Sequence, residues 1–83
     1  MKKGDYYKDP SGRQYYKIIN EKNSKFYVLE LTFPAQGIVK VTKSVVEHCC
    51  KQVTEDEVIS IFIDDMKHKY EYLEDEINKY LEM

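Results

Sequence analysis

The stretch Lys25-Phe26-Tyr27-Val28-Leu29-Glu30-Leu31-Thr32-Phe33 decides the fold of this chain. Apolar residues alternate along it, which places Tyr27, Leu29, Leu31 and Phe33 on one side. Such alternation is typical of a β-strand with one face in the core, because successive side chains point to opposite faces. Phe26 and Val28 add apolar groups to the second face. This face is therefore also predicted to be covered, by curling of the sheet, by a helix or by a partner.

Turn signals on both sides of this strand predict an antiparallel meander of three to four strands within residues 5–43. Asp9-Pro10-Ser11-Gly12 has the residues of a type I turn and should join two strands. Polar residues 20–24 make the next turn, and residues 34–37 precede a last strand at 38–42. Connections this short favour antiparallel neighbours.

Two capping boxes follow the predicted sheet. In such a box a hydroxyl and a carboxylate satisfy backbone N–H groups that the first helical turn leaves without partners. Ser44-Val45-Val46-Glu47 predicts a short helix over residues 44–52. Thr54-Glu55-Asp56-Glu57 predicts a second helix over residues 54–82, which contains no glycine or proline.

These elements predict a small α+β fold. It consists of an antiparallel β-meander followed by a short helix and a long, acidic, amphipathic C-terminal helix. A chain of 83 residues closes one hydrophobic core but hardly two, so residues 1–83 are predicted to be a single domain.

The predicted last helix has an apolar repeat with alternating spacings of four and three residues. A helix of about 28 residues is about 42 Å long, whereas the rest of the chain should form a globule about 26 Å across. The far end of the helix is therefore predicted to be covered by a second copy in a homodimer. A helix that bends and buries the repeat within one protomer is the alternative. The residues predicted to make the dimer contact are Met66, Tyr70, Leu73, Ile77 and Tyr80.

Charge divides the chain into two parts. Residues 1–53 contain ten Lys and Arg against five Asp and Glu, whereas residues 54–83 contain three against ten. The acidic face of the last helix is either a solvated surface or a surface that binds a basic partner, as in proteins that imitate the charge of DNA. Its predicted members are Asp64, Asp65, Glu71, Glu74, Asp75 and Glu76.

The sheet half combines cations with aromatic residues. Aromatic side chains on a strand platform can stack on bases while cations hold phosphates. This pattern predicts nucleic-acid binding as the alternative function. The residues that would bind are Lys8, Arg13, Tyr15, Tyr16, Lys17, Lys25 and Tyr27.

Sequence motifs of catalysis or metal binding are weak in this chain. His48-Cys49-Cys50 and the separate His68 lack the paired spacing of metal ligands, and adjacent helical cysteines point apart. The glycines lie in separate turns and form no phosphate-binding loop. The chain is therefore predicted to have no catalytic site, metal or cofactor.

The composition of the chain limits the cellular compartments and the classes of function that are expected. No apolar run approaches the roughly 20 residues of a membrane helix, and no apolar stretch follows the basic N-terminus as in a secretory signal. Abundant Lys, Ile and Tyr with one alanine suggest an AT-rich bacterial or phage genome. The leading hypothesis is a cytoplasmic, non-catalytic protein-interaction module. It would be a small bacterial or phage regulator or inhibitor, acting in the host cytoplasm if phage-encoded.

Overall fold

The computed structural model describes residues 1–31, 37–61, 71 and 73–82. Within this described part, the chain forms five strands and three helical segments, which confirms the predicted α+β class. In chain order these are β1 (Tyr6–Lys8), β2 (Tyr15–Lys22), β3 (Lys25–Glu30), β4 (Ile38–Thr42), α1 (Lys43–Cys49), β5 (Lys51–Val53), α2 (55–61) and α3 (Glu74–Leu81).

The strands form one antiparallel sheet in the order β4-β3-β2-β1-β5. The sheet is larger than the predicted three to four strands because β5 pairs with β1, with Val53 opposite Tyr6. The predicted helix over residues 44–52 is therefore too long: α1 ends at Cys49, and Cys50 is extended. Pairing with β5 gives hydrogen-bond partners to backbone groups that β1 would otherwise leave at an open edge.

Two turns set the register of the central strands. The Gly12 N–H donates to the Asp9 carbonyl at 3.0 Å, as the type I turn requires. The turn between β2 and β3 places Asn23 and Ser24 at φ values of 52° and 63°. Positive φ at both central residues is the geometry of a two-residue hairpin whose twist matches its strands.

Helix α1 crosses one face of the sheet, because β4 and β5 lie at opposite edges. Val46 of α1 is buried there in a cluster with Tyr7, Ile18, Phe26 and Val28. The predicted cap at Ser44 is wrong, since α1 begins at Lys43, with Thr42 at the N-cap and no side-chain capping bond. The Lys43 N–H instead donates to the Ser24 carbonyl at 3.0 Å, which gives this terminal group its partner.

The opposite face is covered by α2 and α3. Its core cluster contains Tyr6, Ile19, Leu29, Leu31, Val58 and Ile77. A bulge in β2 shifts the register between Ile18 and Asn20. At this point Ile18 belongs to the cluster under α1, and the next residue, Ile19, belongs to the cluster on the opposite face. At the start of α2, the Glu57 N–H donates to Thr54 Oγ1 at 3.2 Å, which confirms the predicted cap at Thr54.

The prediction of one uninterrupted helix over residues 54–82 is wrong. Leu73 has φ −108° and ψ 16° and forms the N-cap of α3, so α3 is a separate helix. A straight helix would place Val58 and Ile77 about 28 Å apart, yet both belong to one core cluster. The interruption lets both segments bury apolar residues on the same sheet. None of the described helical segments is long and apolar enough to cross a bilayer.

Candidate interaction surfaces

The apolar residues of α3 pack on their own sheet. Ile77 is 4% exposed, and Leu73 and Tyr80 are half-buried against the same cluster. The helix therefore does not extend beyond the body as predicted, and the principal extents of 30 × 28 × 20 Å leave no room for a rod of about 42 Å. Met66 and Tyr70 lie outside the described residues. The described part of the repeat follows the alternative of burial within one protomer.

Specific contacts hold the C-terminal end of α3 on the sheet. The rings of Tyr80 and Tyr27 stack with centroids 5.2 Å apart. The Asn20 side-chain amide donates to the Tyr80 carbonyl at 2.8 Å, in the last turn of the helix, where carbonyls lack the regular partner four residues on. At the other end of α3, the Leu73 side chain lies against Gly37. These contacts fix the direction in which the remaining faces of α3 point.

Described members of the predicted acidic face point outward. Glu71, Glu74 and Asp75 are exposed and Glu76 is half-buried, whereas Asp64 and Asp65 lie outside the described residues. Further exposed carboxylates on the helical layer, which the sequence analysis did not single out, are Glu55, Asp56, Glu57 and Glu82. Across the described residues the only salt bridge joins Lys43 to Glu21 at 2.6 Å. Among the described residues, no salt bridge joins Glu71, Glu74 or Asp75 to a lysine.

The predicted nucleic-acid residues do not form one open platform. Strand register places Lys8, Tyr15, Lys17, Lys25 and Tyr27 on the face that α2 and α3 cover, and Tyr16 on the other. Arg13 is exposed in the turn before β2.

Each tyrosine of this set contacts other side chains of its own chain. Tyr27 stacks on Tyr80, Tyr15 packs against the core, and Tyr16 stacks on Tyr7 at 4.9 Å. Lys17 Nζ lies 5.5 Å from the centroid of the Tyr6 ring. Each of these half-buried rings therefore has a packing partner within its own chain.

The two adjacent cysteines differ in environment. Cys49 is exposed and Cys50 is half-buried, and both are free thiols. Burial, followed by the influence of Cys49 and Asp9, raises the pKa of the Cys50 thiol. His48 Nδ1 donates to the Ser44 carbonyl at 2.7 Å within α1. No three His, Cys, Asp or Glu side chains of the described residues are grouped to hold a metal ion, and His68 lies outside the described residues.

The structure reveals a small apolar pocket that the sequence analysis did not predict. It lies between the last turn of α3, strand β2 and the N-terminal turn, and its volume is about 150 Å³. Ile19, Ile77 and Leu81 form apolar walls, and Lys3 and Lys17 also line the pocket. Residues from three separate parts of the chain meet here, so no local pattern indicates the pocket.

Comparisons with known proteins found no match to this chain among family models, curated proteins or solved structures. Function must therefore be argued from the surfaces themselves.

Proposed function

We propose that this chain is a non-catalytic protein-interaction module whose acidic helical layer binds a basic surface of another protein. The observation that supports this is the exposure of Glu71, Glu74 and Asp75 without salt bridges to the described lysines. Exposed charges of one sign attract an oppositely charged partner over about a Debye length, which is about 8 Å at physiological ionic strength.

The apolar and acidic sides of α3 have separate tasks in this proposal. Ile77 is in the core and Tyr80 is stacked on Tyr27, so α3 is fixed to the sheet. The carboxylates of α3 are thereby presented on a rigid element with little conformational freedom to lose on binding. The bound chain would block the basic surface of its partner by steric and electrostatic effects. This mechanism suits a small cytoplasmic regulator or inhibitor from a bacterium or its phage.

Capture from a bacterial lysate tests the acidic layer. The immobilised wild-type chain is compared with the triple variant Glu71→Gln, Glu74→Gln, Asp75→Asn, and retained proteins are identified by mass spectrometry. We expect the wild type to retain a basic protein that the variant loses, and we expect moderate salt to release it.

Glu47→Gln is the matched control, because Glu47 is an exposed carboxylate on α1, away from the helical layer. It should retain the same protein as the wild type. Equal capture by the wild type and the triple variant would show that the acidic layer is not the binding surface.

Dimerisation through the C-terminal helix remains part of the proposal, and we place its contact at a part of α3 that its own sheet leaves exposed. Leu73, Ile77 and Tyr80 are engaged by their own sheet. An exposed apolar residue of α3 lies at its C-terminal end, where Leu81 is 38% exposed.

A further inference from the structure

The apolar pocket at the end of α3 has room for one large side chain. Its volume of about 150 Å³ is below the roughly 300–1,000 Å³ of small-molecule sites. A cavity of about 150 Å³ with leucine, isoleucine and phenylalanine walls holds a molecule the size of benzene. The buried side chains of Ile19 and Ile77 provide a comparable apolar wall. The pocket therefore suits a single aliphatic anchor rather than a cofactor.

The lining of the pocket includes a partly exposed leucine and two lysines, and a glutamate follows the leucine in sequence. Leu81 lines the pocket and is 38% exposed. Lys3 also lines the pocket and is exposed. Glu82 follows Leu81 directly and is exposed as well. The described residues include no salt bridge between Lys3 and Glu82.

An interface between two identical copies related by a twofold axis uses the same patch on both chains. A patch that combines a projection, a recess and charges of both signs can be complementary to itself. Leu81, the pocket, Lys3 and Glu82 supply this combination. We infer that a second copy of this chain occupies the pocket, inserting its Leu81 and placing its Glu82 near Lys3 of the first copy. This inference rests on the dimeric part of the proposed function.

The size of the patch sets the expected strength of association. The pocket admits one large side chain, so we expect the contact to bury less than the roughly 1,200–2,000 Å² of a standard interface. The dimer should therefore be weak and concentration-dependent, with both species present at protein concentrations of about 0.1–1 mM.

Sedimentation equilibrium over that range tests the inference. The wild-type mass should rise toward twice the monomer mass. Leu81→Asp, Lys3→Glu and Glu82→Lys should each weaken association at least tenfold. The double variant Lys3→Glu/Glu82→Lys should recover most of it, because the charges are exchanged but remain complementary.

Val45→Asp is the matched control, since Val45 is an apolar residue of α1 that is 55% exposed. It should associate like the wild type. Circular dichroism melting curves check that each variant is folded. If Leu81→Asp destabilises the pocket, the Lys3 and Glu82 variants still test the inference, because they alter exposed side chains. A monomer mass for the wild type up to about 1 mM, or failure of the charge exchange to restore association, overturns the inference.

The two proposals can fail separately. Loss of self-association in Lys3→Glu with undiminished capture of a basic protein would separate the dimer contact from the acidic layer. A wild-type monomer that still captures a basic protein would remove this inference and leave the interaction module intact.

Discussion

The Tyr7 ring is buried on the sheet face that α1 crosses, where it is 2% exposed and stacked on Tyr16. Burial is the largest cause of a strong rise in the pKa of its hydroxyl, and Cys50 and Tyr16 add to it. The neutral phenol is thus favoured in the folded state. In the unfolded chain, the same hydroxyl titrates at its ordinary pKa of 10.0.

This pKa difference predicts sensitivity to alkali. Above about pH 10 the folded chain retains a proton that the unfolded chain releases, so the free energy of unfolding falls as the pH rises. Tyr7 contributes at most about 1.4 kcal/mol per pH unit to this fall. Urea unfolding at pH 8 and pH 11 should show a smaller loss for Tyr7→Phe than for the wild type. Equal losses in the two proteins would contradict the burial of this hydroxyl.

At the scale of single elements, the two helix starts allow a direct comparison. Thr54 Oγ1 accepts the Glu57 N–H, whereas Ser44 lies within α1 and is not its cap. Thr54→Ala should therefore lower the free energy of unfolding by about 1 kcal/mol. Ser44→Ala should change it by less than about 0.5 kcal/mol. Urea titrations of both variants measure the difference, and an equal cost at the two positions would restore Ser44 as a cap.

A second prediction at this scale concerns the attachment of α3. Ile77→Ala should cost about 2–4 kcal/mol of unfolding free energy, because it opens a cavity in the core beside Val58. Val45→Ala, at a position 55% exposed, should cost less than about 0.5 kcal/mol. Thermal unfolding followed by circular dichroism compares the two. Similar costs would mean that Ile77 faces solvent, as a dimer contact through the repeat would require.

The local sequence pattern predicts an element well when the element's own residues determine which of its faces are buried. The alternation along β3 predicts a strand covered on both faces, and Phe26 and Val28 are indeed buried under α1. Strand β5 has only three residues and no alternation long enough to detect, and it forms because β1 offers it an edge. The interruption at Leu73 has no glycine or proline to signal it. Burial of Ile77 on the sheet outweighs the propensity to continue one helix.

On the scale of the whole molecule, the nucleic-acid alternative gives a clear prediction. The tyrosines that would stack on bases contact their own chain, as Tyr27 does with Tyr80. Fluorescence anisotropy with labelled single-stranded DNA should therefore show no saturable binding at about 50 mM salt. Binding to phosphates is strongest at such low salt concentrations. Binding that is tight at that concentration and weakens steeply toward about 200 mM would support the basic sheet as the functional surface.

The candidate surfaces were only partly predictable from the sequence. Outward carboxylates on α3 follow from helical periodicity once Ile77 is assigned to the core, and Glu74 and Asp75 are exposed. The pocket joins Lys3, Lys17 and Leu81, which are far apart in the chain. Its existence depends on how α3 lies across the sheet, and this orientation is set by tertiary packing.

The pairing of β1 with β5 has a consequence for the order in which the chain is made. As the ribosome adds residues from the N-terminus, strands β1 to β4 can assemble before residues 51–53 exist. A nascent chain at that stage has an unpaired strand edge and two uncovered apolar sheet faces, which are the features that attract chaperones and invite misassembly. Protection comes only when α1 has crossed the sheet and the last thirty or so residues have emerged. Translation pauses before that point should therefore leave the young protein most open to proteolysis.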